Sequence, residues 1–313
     1  MVAGPVAAAS ALPATEVIAL LNAERQTHGI PGAIVENLTW SAGCARHNAY
    51  QRAYGLFDHP ELPWRTGYSE AGNEAGRASV LSTGSGWKNG NPFAHSPIHL
   101  MQLLAPQLSE TGVAENDDRV CMWTWPGYKR RFNADTVYTA PGDGGGVPVA
   151  ETAHEQPFVP GDFVGLPRGT VTGPHLYVFA VGPSATAMRV QRATLTPASG
   201  PSVAIRTVDN TTPRLGTFLP SGAILIPVAP LVPATDYVAS VSLVSTAGVI
   251  FDRTWWLRTP PGIPATSSVL GGRPGQIAAT ANAAGPRVAS APARRAVTAS
   301  AMPGWRPLQR FRP

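Results

Sequence analysis

Ser96-Pro97-Ile98-His99-Leu100-Met101-Gln102-Leu103-Leu104-Ala105-Pro106 reads as one short, sharply bounded helix. Serine at the N-cap and proline at the first helical position are start signals, since a proline there gives up only an N–H that has no helical partner. Pro106 ends the helix after about Leu104, and His99 falls in its first turn. Working back, Leu56 to Gly90 is loop-like and dense in Gly and Pro, with room for one short helix. A loop that long inside a compact domain is as a rule functional or disordered. The stretch Phe57 to Leu104 also gathers histidines and acidic residues: Asp58-His59-Pro60-Glu61, then Glu70 and Glu74, then His95 and His99. A polar site is expected here.

Further upstream, Thr15 can cap a helix to about His28, with Val17, Ile18, Leu20 and Leu21 as its apolar face and Gly29 as its stop. Ser41 is a second candidate cap, for a helix from Ala42 to Tyr54 with Ala45, Ala49, Tyr50 and Ala53 on one side. Downstream, Val120 to Trp125 alternates in the manner of a strand. From about Thr136 short β-rich runs follow one another between Pro, Gly, Asn and Ser. They are Leu176 to Val181, Met188 to Leu195, Val203 to Ile205, Ala223 to Val228, Tyr237 to Val244 and Val249 to Leu257. That spacing argues for an antiparallel sandwich, immunoglobulin-like or fibronectin-like.

Composition sets bounds on the rest. Charged residues are 14% of the 313, while Gly and Pro number 32 each, which disfavours a helical bundle. The formal charge of +5 is smaller than the count of arginines after Ile263, where Arg273, Arg287, Arg294, Arg295, Arg306, Arg310 and Arg312 stand without an acid. The remainder is therefore slightly acidic, and the scattered tail arginines form no stripe for specific nucleic-acid binding. After Thr259-Pro260-Pro261 the chain is Ala, Pro, Ser, Gly and Arg without periodicity, a composition expected to be disordered. No apolar run reaches the ~20 residues that cross a bilayer. Val2 to Ala14 is small and apolar without a basic start, either a signal remnant or a plain leader. Cys44 and Cys121 are open to two readings, a structural disulfide of an exported protein or two buried thiols.

Three sets of motifs then suggest a family. Leu21-Asn22-Ala23-Glu24-Arg25 with His28-Gly29-Ile30-Pro31, Leu38-Thr39-Trp40 with Cys44-Ala45-Arg46-His47-Asn48, and Ser96-Pro97-Ile98-His99 with Leu103-Leu104-Ala105-Pro106 and Thr111-Gly112-Val113 stand in a familiar order. Over Pro13 to Pro126 the chain resembles the CAP superfamily, named for cysteine-rich secretory proteins, antigen 5 and pathogenesis-related proteins, in its bacterial form. The resemblance implies an α+β class: an α-β-α sandwich followed by an all-β sandwich and a disordered tail. The divisions expected are a leader at 1–12, a CAP domain at 13–130, a linker at 131–146, the β-sandwich at 147–260 and a basic tail at 261–313.

The same resemblance implies a cleft of two histidines and two glutamates able to hold a divalent metal. Matched by motif, His59 is the first histidine, Glu74 or Glu70 the glutamate after the loop, and His99 the second histidine. Ser96 stands where the other glutamate would be, and His95 lies beside it. Two imidazoles and a carboxylate suit zinc, with a fourth position left to water. Read for duller roles, His47 is a half-buried packing residue, Glu61 lies exposed between prolines, and His154 and His175 have no neighbours that suggest a site. There is no Gly-x-Ser-x-Gly elbow, and Gly144-Gly145-Gly146 lacks the Lys and helix of a P-loop. The expected function is a secreted, non-catalytic binding module of the bacterial envelope or medium, with a lipid, sterol or wall-component ligand. The alternatives are a metal-dependent hydrolase on His59, Glu74 and His99, or a β-sandwich adhesin.

Overall fold

The computed structural model describes residues 11–84, 86–116 and 118–261. All but the first residue of the expected tail, and all but the last two residues of the expected leader, lie outside the described residues. Four helices come first: α1 (Ala14–Thr27), α2 (Leu38–Tyr54), α3 (Glu70–Ala78) and α4 (Pro97–Leu104). Between and after them run β1 (Val35–Glu36), β2 (Ser79–Thr83), β3 (Glu110–Thr111), β4 (Val113–Asn116) and β5 (Arg119–Trp123). The remainder is strand: β6 (Thr136–Ala140), β7 (Gly145–Gly146), β8 (Leu176–Val181), β9 (Met188–Pro197), β10 (Ile205–Asp209), β11 (Gly222–Pro227), β12 (Asp236–Ser245) and β13 (Ile250–Arg258).

These elements overturn the expected class. Thirteen strands in four sheets against four helices make the described chain mostly β, and it fits an α-β-α CAP sandwich only weakly. The physical reason is punctuation. Gly and Pro recur so often that α3 and α4 reach only nine and eight residues, while β-branched runs continue to Arg258. The strands among the helices divide into a three-stranded antiparallel sheet, β2-β5-β4, and a separate parallel pair, β1-β3. The stretch expected as a linker is also built in, β6 pairing with β8 and β7 with β13.

Local caps explain the helix boundaries. Asn37, not Ser41, opens α2, its side chain accepting from Trp40 N at 3.1 Å, and Gly55 closes it at φ 60°, a left-handed position that glycine adopts without a Cβ penalty. Ser69 caps α3 by accepting from Gly72 N at 3.0 Å. Residues alternate along β2 and β5, so that Val80, Val120 and Met122 join Val17, Ile18 and Leu21 of α1, while Leu81, Cys121 and Trp123 meet Cys44 and Ala75. Cys44 and Cys121 are bonded, joining α2 to β5 across 77 residues with Cα atoms 5.4 Å apart. Arg25, fully buried, donates to the carbonyls of Leu103 and Ala105 at 2.6 and 2.9 Å and to Pro31 at 2.9 Å, which satisfies the open C-terminal end of α4.

The later strands form two four-stranded sheets, β10-β11-β8-β6 and β7-β13-β12-β9, that share one apolar cluster including Val178, Leu225, Tyr237, Val241 and Trp255. β12 alternates buried and half-buried residues, as a strand with one open face does. β8 and β11 are buried along their whole length because their second face is covered too. Ile98, Met101 and Leu104 of α4 pack there against Tyr177, Phe179, Ile224 and Ile226. Each such aliphatic or aromatic side chain contributes about 1.5–3 kcal/mol by leaving water. Helix α4 is thereby fixed against the β half, and His99 with it.

Candidate functional site

Helix α2 supplies His47, the loop after it His59 and Glu61, α3 the backbone of Gly76, and α4 His99. His47 is fully buried, with Nδ1 3.1 Å from Glu61 Oε1 and Nε2 3.1 Å from the carbonyl of Asp58. A carbonyl only accepts, so Nε2 carries the ring proton. Burial holds His47 down to about 4, against the Asp58 hydrogen bond, and burial also raises the Glu61 carboxyl. Both shifts favour a neutral pair, in which a protonated Glu61 donates to Nδ1. The other oxygen of Glu61 accepts from Ser69 N at 2.9 Å, and its own N–H donates to Asn73 Oδ1 at 2.9 Å. The expectations for both residues are corrected: Glu61 is buried because its polar atoms are all engaged, and His47 is part of a polar pair, not a half-buried packing residue.

This pair sets His59. The Nδ1 of His59 donates to the carbonyl of Gly76 at 2.7 Å. That approach needs a glycine, because a Cβ at position 76 would overlap the His59 carbonyl oxygen and the His47 ring. His59 is half-buried, and its ring lies 6.5 Å from that of His99, centroid to centroid. Burial lowers both imidazoles, His99 to about 3 with a smaller contribution from His59. The edge of Phe93, a core residue, closes the other side of His99 at 6.0 Å.

Ser96 stands at the N-cap of α4, yet its side chain makes no capping bond. The cap comes from far along the chain. Ile98 N donates to both oxygens of Glu155, at 2.9 and 3.1 Å, and His99 N donates to Oε2 at 3.3 Å. The same Oε2 lies 3.4 Å from His99 Nδ1. Burial pushes the Glu155 carboxyl up to about 8, while the two amides pull it back. The hydroxyl of Ser96 instead donates to the carbonyl of His154 at 2.8 Å, and His154 N donates to the carbonyl of His95 at 2.6 Å. A carboxylate thus stands against the turn where Ser96 has none.

Glu70 and Glu74 are exposed on α3. His59 and His99 come together, but Glu74 does not complete them. Among the described residues no group of three or more His, Cys, Asp or Glu side chains could hold a metal ion. A zinc ion takes three or four protein ligands, so the residues present do not fit the zinc set expected. His95 is exposed and shares a shallow depression with Ala150, Glu151, Thr152, His154 and Val171. His175, expected to have no neighbours that suggest a site, is buried with Nδ1 3.1 Å from Glu151 Oε1. Of the aromatics near the loop, Trp87 and Phe93 are core, whereas Phe57 and Trp64 are exposed.

Glu155 and Glu151 escaped the sequence reading because their partners are 56 and 24 residues away. The only sequence signal was a pair of acids beside histidine in an otherwise acid-poor stretch, Glu151-Thr152-Ala153-His154-Glu155.

No family model matches this sequence, and no curated protein matches it. Among solved structures, CopC from Methylosinus trichosporium OB3b is similar at 13% identity, over 41% of this chain and 96% of that one, with a TM-score of 0.24.

Proposed function

We propose that this is an exported binding module of the bacterial cell envelope or medium, whose ligand site lies where the rings of His59 and His99 approach each other. One observation carries the reading. Two imidazoles from separate elements each turn Nδ1 toward a protein oxygen, His59 by a 2.7 Å hydrogen bond to Gly76 O and His99 to Glu155 Oε2 at 3.4 Å, and neither Nε2 has a hydrogen-bond partner among the described residues. Rings fixed in this way are preorganised for a ligand, because little side-chain freedom is left to lose on binding. The Cys44–Cys121 disulfide supports an oxidising compartment. No helix among the described residues is long and apolar enough to cross a membrane.

The ligand class is a lipid, sterol or wall component, and Phe57 and Trp64, exposed in the same loop as His59, could offer it apolar contact. Kinship with the CAP superfamily is proposed on the motifs of residues 13–126 alone. The test is binding of the full chain to lipid vesicles and to wall polymer, compared with His59→Ala and His99→Ala. Loss of binding in both variants, with an unchanged circular dichroism spectrum, is the expected result. Undiminished binding by both would overturn the site.

A second reading, an adhesin that binds through its β half, is favoured by Trp256, 54% exposed on the open face beside β12. Loss of binding in Trp256→Ala, with His59→Ala and His99→Ala intact, would select it.

A further inference from the structure

We infer that Glu155 is a positioning residue for His99, so that the proposed site is completed by the β half of the chain. The inference rests on the site proposed above and concerns how one of its two rings is held. Residues 151–157 lie against the first turn of α4 through a set of bonds that all converge on residues 95–99. Ile98 N and His99 N donate to the carboxylate, Ser96 Oγ donates to His154 O, and His154 N donates to His95 O. The Glu155 side chain is 1% exposed. Its own backbone carbonyl is held in turn by Arg168 Nη1 at 3.2 Å.

An anion at a helix N-terminus is favoured by the unpaired amides and by the helix dipole. Here the Glu155 carboxyl group reaches the helix from 57 residues downstream, and the amides fix where it sits. The result is a carboxylate oxygen 3.4 Å from His99 Nδ1. Above about pH 8 the Glu155 carboxyl is ionised and only accepts. There the nearby negative charge favours the ring proton of His99 on Nδ1 and leaves Nε2 bare, the same tautomer that Gly76 O imposes on His59. Without Glu155 nothing in the first turn of α4 distinguishes the two nitrogens of His99.

The test is 15N spectroscopy of histidine-labelled full chain at pH 9, above the value of about 8 to which burial raises Glu155. In the wild type, His99 is expected to show a protonated Nδ1 and a bare Nε2. In Glu155→Ala the oxygen that faces Nδ1 is gone, so the preference for Nδ1 is expected to be lost and the two ring signals to move toward a common average. His59, tied to Gly76, should keep its pattern in both proteins, which a general loss of structure would not allow. A wild-type His99 protonated on Nε2, or an unchanged pattern in Glu155→Ala, overturns the inference. The wild-type spectrum decides it even if the variant fails to fold. Neither measurement depends on a ligand, so failure here is distinct from failure of the His59→Ala and His99→Ala binding comparison.

Discussion

His47 Nδ1 and Glu61 Oε1 meet at 3.1 Å with neither side chain exposed to water. Because His47 Nε2 donates to the Asp58 carbonyl and burial disfavours a charged ring, the neutral form of the contact is a hydrogen bond from Glu61 to Nδ1. A neutral isostere should therefore serve nearly as well. Glu61→Gln is expected to stay within about 1 kcal/mol of the wild type, while Glu61→Ala, which leaves Nδ1 and Ser69 N unpaired, is expected to lose about 2–3 kcal/mol. Urea denaturation reads both; equal losses would mean the pair is ionic.

The same ring makes the protein acid-sensitive. A histidine lowered from 6.5 to about 4 by burial contributes stability that is complete above pH 6.5 and disappears as pH falls through about 4. The amount is on the order of 3 kcal/mol. Glu61, raised by burial, acts in the opposite sense, losing its contribution as pH rises. The difference in Tm between wild type and His47→Gln is therefore expected to shrink as pH falls from 6.5 to 4. A difference that widens over this range would contradict the burial of a neutral ring.

The Cys44–Cys121 bond closes a 77-residue separation, for which the chain-entropy relation gives about 4–5 kcal/mol. Replacing both cysteines by alanine should lower the unfolding free energy by up to that amount. Wild-type protein unfolded in reductant should match the double variant. No change on reduction would show that the link adds nothing.

Gly76 is where the loop and α3 approach too closely for a side chain. Gly76→Ala forces the His47 ring or the His59 backbone to move, and overpacking of this kind costs about 1–3 kcal/mol. Beyond stability, it should release His59 Nδ1 from its carbonyl. The proton exchange of that ring, followed by NMR, is expected to quicken in the variant; an unchanged ring would place the constraint elsewhere.

Much of the β half was readable because its strands obey a short-range rule. The run Tyr237 to Val244 alternates, and β12 spans Asp236–Ser245; Leu176 to Val181 is continuous, and β8 has those bounds. The start at Ser96-Pro97 was equally local, and α4 begins at Pro97. What failed was long-range or compositional. Counting helices from motifs overweighted residues 13–126, and the class came out wrong because the strands between and after the helices outnumber them. The carboxylates were misplaced for a similar reason. Glu70 and Glu74 are near His59 in sequence but face solvent, whereas Glu61 and Glu155 face the histidines only once α3 and the 151–157 segment have docked. Sequence proximity reports neighbours along the chain, and a polar site is made of neighbours across it.

The two-sided burial of β8 and β11 has a consequence for cleavage of the chain. A protease nick between Arg130 and Thr136 would not release two working pieces. Ile98, Met101 and Leu104 of α4 would still pack on Phe179, Ile224 and Ile226, so the fragments would stay together as one nicked particle. Expressed apart, each would present a bare oily patch and, in the N-terminal fragment, a His99 deprived of its carboxylate.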